Sequence, residues 1–240
     1  VRVDEAGLVA LFEEGATRPY GRPRRPYPGP HAYGPEEEGV LFGRDADLDR
    51  MLQHLRAEST LVISGQPGAG KTSLLCAGLL PALAGDPPDG RFELRSAVVR
   101  LGTEPADELL ERAVVTLTEG CPFEPEAAPV ARLLQAAEVA TSRASVLAID
   151  GLERLLDAEE AERAQTLDLI EAMLAQPKAR AVRLVLVTES DRLEDLSALR
   201  PGLLTLGSSM RLLAQPPVSA AREIALSPAR SAGIEVRDPD

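Results

Sequence analysis

From Val40 onward, short continuous apolar runs alternate with longer segments whose apolar positions recur at helical spacing. Residues 60–64 (TLVIS), 96–101 (SAVVRL), 145–149 (SVLAI), 182–188 (VRLVLVT) and 209–213 read as five strands. Before the first of them, residues 45–57 place Leu48, Met51, Leu52 and Leu55 on one helical face. A helix over 71–84 stops at Gly85, and a helix over 104–117 is capped by Thr103 with Pro105 in its first turn. Residues 130–140 predict another helix. Asp157 with Glu160 resembles a capping box opening a helix over 159–175. Asp191 with Glu194 marks a further start, and 219–232 predicts a last helix interrupted by Pro228. Buried strands separated by helices predict an α/β fold: three layers, α/β/α, around a mostly parallel five-stranded sheet.

The first 35 residues read differently. Residues 3–14 predict one short helix. Residues 18–35 then carry six prolines, which exclude helix and central strand, interleaved with Arg18, Arg22, Arg24 and Arg25. This is the pattern of an extended linker. The chain therefore divides into a helix and Pro/Arg-rich linker (1–35), an α/β core (36–216) and the start of a helical region (217–240) that continues beyond the given sequence. It begins at Val1, as an excerpt or processed product would.

Composition narrows the chemistry. The 240 residues are 44% hydrophobic but only 3% aromatic, so Leu, Val, Ile and Ala must build the core. The net charge of −12 argues against general binding of nucleic acid backbones or anionic membrane. No apolar run reaches the roughly 18 residues of a membrane span, and no signal-peptide pattern is present. Two cysteines, Cys76 and Cys121, make no disulfide framework, and they point to a reducing cytoplasm. The acidity is local. Residues 103–126 and 150–175 carry −6 each, and the rest of the chain is neutral.

Gly65-Gln66-Pro67-Gly68-Ala69-Gly70-Lys71-Thr72 fits G-x-x-x-x-G-K-[ST] at every fixed position, after an apolar run and before a helix. Glycines let backbone wrap phosphate oxygens, and amides at the helix start supply donors and partial positive charge. Lys71 can reach β- and γ-phosphates, and the Thr72 hydroxyl, followed by Ser73, can ligate Mg²⁺. A chance match is expected about once per thousand such sequences. Lysine is also scarce: of 26 basic residues only Lys71 and Lys178 are lysine.

Asp150 follows the third apolar run, where a carboxylate orients the metal in this fold class. It can also cap a helix, and the two roles are compatible, but its spacing from Lys71, with one strand and two helices between, favours the metal role. Many phosphate-loop ATPases carry Glu immediately after this Asp, whereas here Gly151 follows. Glu153 is the nearest carboxylate, and it either holds a water or belongs to a solvated acidic face. His31, His54 and the two cysteines make no zinc-type spacing, and no Ser-His-Asp or Cys-His arrangement is suggested. Arg192, Arg200, Arg222 and Arg230 are surface or ion-pair residues, any one of which can alternatively sense phosphate.

These residues resemble a known family. Tyr27-Pro28-Gly29 with Tyr33, the acidic run Glu36–Glu38, Phe42-Gly43-Arg44, the loop Gly65–Thr72 and Ala77-Gly78-Leu79-Leu80-Pro81-Ala82-Leu83 together resemble the bacterial "novel STAND" group of P-loop NTPases, from about residue 27 to 236. Arg100 through Pro105 resembles its R-P-G-x-x-P region with Leu101 for the first Pro, and Pro228-Ala229 with Gly233 resembles the start of its lid. Residues 145–153 resemble the strand and D-Q-F-E-E that follow. Asp150 and Glu153 are kept, Arg154 replaces the second Glu, and Glu189 stands where the family has Arg. The resemblance implies binding of ATP (or dATP, or ADP) with Mg²⁺, with Phe42, Gly43, Arg44 and Pro228 near the nucleotide. It also implies slow hydrolysis and homo-oligomerisation that activates an effector in signal transduction or bacterial defence. Sensor and effector domains would lie outside these residues. The departures bear on hydrolysis more than on binding. A steadily turning-over ATPase and a non-enzymatic scaffold with a degenerate site are the alternative readings.

Overall fold

The computed structural model describes residues 27, 29, 31–34, 41–88, 93–102, 104–121, 127–139, 143–175, 182–200 and 207–234. The expected helix over 3–14, most of the Pro/Arg-rich segment, Glu36–Glu38, Thr103 and Lys178 lie outside them. Five strands form one sheet: β1 (Thr60–Gly65), β2 (Glu93–Arg100), β3 (Arg143–Asp150), β4 (Val182–Glu189) and β5 (Met210–Leu212). Their order is β2-β3-β4-β1-β5, and every pairing is parallel. The strand carrying Asp150 is therefore one strand removed from the strand that feeds the phosphate loop.

Seven helices complete the described core: α1 (Asp45–Ala57), α2 (71–85), α3 (Ala106–Thr118), α4 (Pro129–Val139), α5 (Glu160–Leu174), α6 (Leu193–Leu199) and α7 (Val218–Ser231). Strand side chains alternate between two cores. Leu61, Ile63, Val146, Ala148, Val185 and Val187 pack with Met51 and Leu55 of α1 and with Leu74, Leu75 and Leu79 of α2. Val62, Leu147, Ile149, Leu184 and Leu186 pack on the other face with α3, α4, α5 and Leu196 of α6. This makes three layers. The two acidic stretches contribute α3 and α5, which lie across the sheet from the helix of the phosphate loop.

The expected helix over 71–84 has an interruption. α2 consists of Lys71–Ser73, a π-helical turn Leu74–Leu79, and Leu80–Gly85. The Leu80 N–H donates to the Leu75 carbonyl, five residues back. Pro81 follows at once and has no N–H for an i−4 bond, so a widened turn fits just before it. Asp157 does not form the expected capping box. It closes a 3₁₀ turn, Leu152–Leu156, by donating its N–H to Arg154, and α5 starts at Glu160 without a side-chain cap. Nor does Pro228 interrupt the last helix. α7 runs through it, with Pro228 and Ala229 buried, and turns out at Gly233. Arg183 of β4 is 2% exposed and donates from Nε to the Leu55 carbonyl at 2.7 Å, where the end of α1 leaves carbonyls without helical partners.

Candidate nucleotide-binding site

β1 delivers the chain into the glycine loop with little room to spare. A Cβ on Gly65 would stand 2.5 Å from the Leu213 carbonyl oxygen, because the chain leaving β5 crosses directly over it. Gln66, Pro67 and Gly68 are exposed, Ala69 is buried, and both Gly68 and Gly70 are left-handed. α2 begins at Lys71, so its first-turn amides face the loop. Lys71 Nζ donates to the Gly65 and Gln66 carbonyls, each at 2.9 Å, which leaves one of its three donors for an anion.

Next to it, Thr72 Oγ1 donates to Asp150 Oδ2 at 2.8 Å. Burial pushes the Asp150 carboxyl above its ordinary range, opposed by the Thr72 hydroxyl and the charges of Arg100 and Lys71, and assisted by Glu153. Glu153 is anchored as well: its Oε2 accepts from the Glu189 N–H at 3.1 Å. Glu189 is the register partner of Gly65, so the Glu153 carboxylate sits at the level where the loop begins. Arg154 has turned to another use. Its Cγ lies 3.4 Å and 3.5 Å from where a Cβ would stand on Gly102 and Gly151, across the turns that end β2 and β3.

A second layer converges from the two ends of the chain. Arg44 is buried, and its guanidinium donates to Asp47 (2.9 Å) and to the carbonyls of Ala214 (2.8 Å) and Ala69 (2.6 Å). It thus ties α1, the exit of β5 and the phosphate loop together. Gly43, at φ +72°, is pressed against α7, where a Cβ would meet Ile224 Cγ1 at 2.9 Å. Phe42 is partly buried in the same turn. The Tyr33 N–H donates to Ser73 Oγ at 3.1 Å, and the Tyr27 hydroxyl donates to the Ala225 carbonyl of α7. Pro228 lies one turn further along α7.

The expected residues thus fall into two groups. Lys71, Thr72, Asp150 and Glu153 gather at the carboxyl ends of β1, β3 and β4. Gly43 packs against α7, in which Pro228 lies, with Phe42 in the same turn, whereas Arg44 reaches the loop through the Ala69 carbonyl. Arg192 and Arg200 pair instead with Asp195, Asp168 and Glu171. Sequence reasoning passed over Arg100 as a site residue. It ends β2 opposite Asp150, with Nε 4.0 Å from Asp150 Oδ2 and Nη2 donating to Cys76 Sγ at 3.4 Å. Only strand register brings it there.

The donor set suits magnesium. A hydroxyl and one carboxylate are hard oxygen donors held side by side, and the carboxylate is buried. Among the described residues no group of three or more His, Cys, Asp or Glu is placed to cage an ion. A cation held by one carboxylate, waters and ligand phosphates fits this supply. Among the described residues no helix is long and apolar enough to cross a membrane.

Solved structures share the fold at low sequence identity. A Walker-type ATPase of Pyrococcus abyssi superposes with a TM-score of 0.60 at 14% identity, over 87% of this chain and 63% of its own. The Aeropyrum pernix ORC2 protein, solved in ADPNP–ADP complexes, gives 0.53 at 18% identity over 92% and 55%. The ORC1 protein of the same organism, solved in complex with DNA, gives 0.50 at 20% identity over 81% and 51%. The chain thus spans between about half and two-thirds of the length of these proteins. No curated protein matches it in sequence at a significant level. The profile of the family described as Novel STAND NTPase 1 matches residues 26–239, and the chain belongs to that family of P-loop NTPases.

Proposed function

We propose that this chain is the nucleotide-operated core of a molecular switch, which couples binding and slow hydrolysis of Mg-ATP to oligomerisation and to activation of an effector outside these residues. The observation that carries the reading is the convergence of Lys71, Thr72 and Asp150 on one loop whose backbone is also tied to the segment leading into α7. In it, Lys71 and the first amides of α2 bind the terminal phosphates, and Thr72 and Asp150 hold the metal. Bound Mg²⁺ would neutralise phosphate charge and orient the ligand oxygens. Glu153, held by the Glu189 N–H, orients the attacking water and accepts its proton. Arg44 and Gly43 relay loop geometry to α7, because the loop carbonyl of Ala69 and the exit of β5 share one guanidinium. A switch needs different affinities for its two states rather than fast turnover, which suits a site with Gly151 after its aspartate.

The test is calorimetry of ATP binding with Lys71→Ala, combined with sedimentation of the wild-type protein with and without Mg-ATP. The variant is expected to lose ATP affinity by about a hundredfold, the scale of a charge-assisted phosphate contact in a partly dry site. Unchanged affinity would sink the reading. Wild-type protein that binds ATP and sediments identically with and without it would remove the oligomeric switch and leave the scaffold. That second reading has its own motive in Glu189, an acidic residue where the resemblance leads to the expectation of Arg and one that would oppose phosphate charge if it faced the loop.

A further inference from the structure

Arg100 occupies the last position of β2, in register with Asp150 at the end of β3. Its side chain lies on the face of the sheet that packs α2, where Nη2 donates to Cys76 Sγ at 3.4 Å, one turn beyond Thr72. Its Nε stands 4.0 Å from Asp150 Oδ2, the same oxygen that accepts from Thr72 at 2.8 Å. One carboxylate oxygen is thus approached by the metal-ligand hydroxyl and by a guanidinium. The two charges differ in exposure. The Asp150 side chain is 11% exposed, whereas that of Arg100 is 50% exposed. The carboxylate is fixed by the strand end, and the arginine reaches it from the more exposed side. A divalent cation on Asp150 would therefore meet a positive charge 4.0 Å from one of its two carboxylate oxygens.

We infer that Arg100 is a positioning residue that holds the charge of Asp150 while no metal is bound and competes with Mg²⁺ for it, so that it sets the magnesium concentration at which the nucleotide complex forms. The inference rests on the nucleotide reading above. A single charge facing a divalent ion at about 5 Å in water-like surroundings changes affinity by about tenfold. The effect belongs to charge rather than shape, which separates it from a packing role.

The experiment measures binding of ADPNP, a nonhydrolysable ATP analogue, by calorimetry across a magnesium titration and in EDTA, for wild type, Arg100→Gln and Arg100→Lys. Arg100→Gln is expected to lower the magnesium midpoint by about tenfold, and Arg100→Lys to hold it within about twofold, because lysine keeps the charge. Arg100→Ala gives the same readout should the glutamine variant not fold. An unshifted midpoint in Arg100→Gln overturns the inference, whether or not the melting temperature falls. So does weaker ADPNP binding in EDTA with an unshifted midpoint, which would make Arg100 a phosphate ligand instead. If the wild type itself shows no magnesium-dependent ADPNP binding, the nucleotide reading fails and the inference with it. If the wild type responds and only the Arg100 variants do not differ from it, the inference alone fails.

Discussion

Thr72 and Asp150, separated by 78 positions, meet through a 2.8 Å hydrogen bond from hydroxyl to carboxylate. That bond crosses a strand. β4 lies between β1 and β3, so the first turn of α2 reaches past it to meet the end of β3. The pair is one arrangement serving two needs. It satisfies a buried carboxylate, and it presents two hard oxygens side by side.

Replacing Thr72 by Val keeps the shape and removes the donor. Asp150 then loses a hydrogen bond to a charged group, worth about 1.5–3 kcal/mol. Magnesium-dependent ADPNP binding is expected to weaken by at least about tenfold, and Thr72→Ser to restore most of it. Calorimetry in magnesium and in EDTA separates the metal effect from a general loss of fold.

Glu153→Gln removes a proton acceptor and keeps an oxygen facing the Glu189 N–H. Any ATP turnover is expected to fall by about 10²–10⁴-fold, the usual range for a general base, with ADPNP affinity nearly unchanged. Turnover equal to wild type would return Glu153 to the solvated acidic face.

Gly43→Ala probes the contact between the Phe42-Gly43-Arg44 turn and α7. The position is left-handed, and a Cβ there would meet Ile224 Cγ1 at 2.9 Å. Backbone strain with a side-chain shift predicts a loss of about 1–3 kcal/mol in denaturant unfolding. Limited proteolysis is expected to cut α7 sooner in the variant.

Glu111 and Arg132 tie α3 to α4, with Nη1 to Oε1 at 2.7 Å. The hydrogen bond from Arg132 holds the Glu111 carboxyl below its ordinary 4.5, against a smaller upward effect of burial. A depressed carboxyl gives stability that is present above its unfolded value and lost as pH falls through its folded one. Glu111→Gln is therefore expected to lower the melting temperature at pH 7 and to match wild type once the pH is low enough to protonate the depressed carboxyl, where both side chains are neutral. Glu111 is half exposed, so solvent screening keeps the difference near about 1 kcal/mol. An equal deficit at both pH values would assign the effect to shape.

Local chemistry was enough for much of this. Buried strands must be apolar on both sides, and helices must repeat their apolar positions every turn, so the five strands and most helices were legible as runs and stripes. The glycine loop was legible as a motif, because a close wrap around phosphate would need glycine and lysine is rare elsewhere in this chain. Asp150 and Glu153 were legible as candidates from their place after the third run, and the fold sets them beside Thr72 and the end of β4. Pro228 misled, because proline usually stops a helix and nothing local tells that its turn is buried.

Strand order, register and long-range hydrogen bonds were decided by packing. Runs buried on both faces are interchangeable in pattern, so nothing in them places β4 between β1 and β3. Arg100 reaches Asp150 only through register, since the two come from separate strands and share no motif. Arg44 is expected near the ligand from its motif alone. Besides Asp47, three residues on, its partners are the Ala69 and Ala214 carbonyls, backbone atoms that any sequence would provide and only folding brings to one guanidinium. The contact of Tyr27 with Ala225 spans 198 positions and depends on a carbonyl of α7 being reached from the other end of the chain. Pattern along the chain thus determines which residues are buried and which chemistry is present. The choice of neighbours is a property of how buried surfaces are shared, and that exists only once the chain is folded.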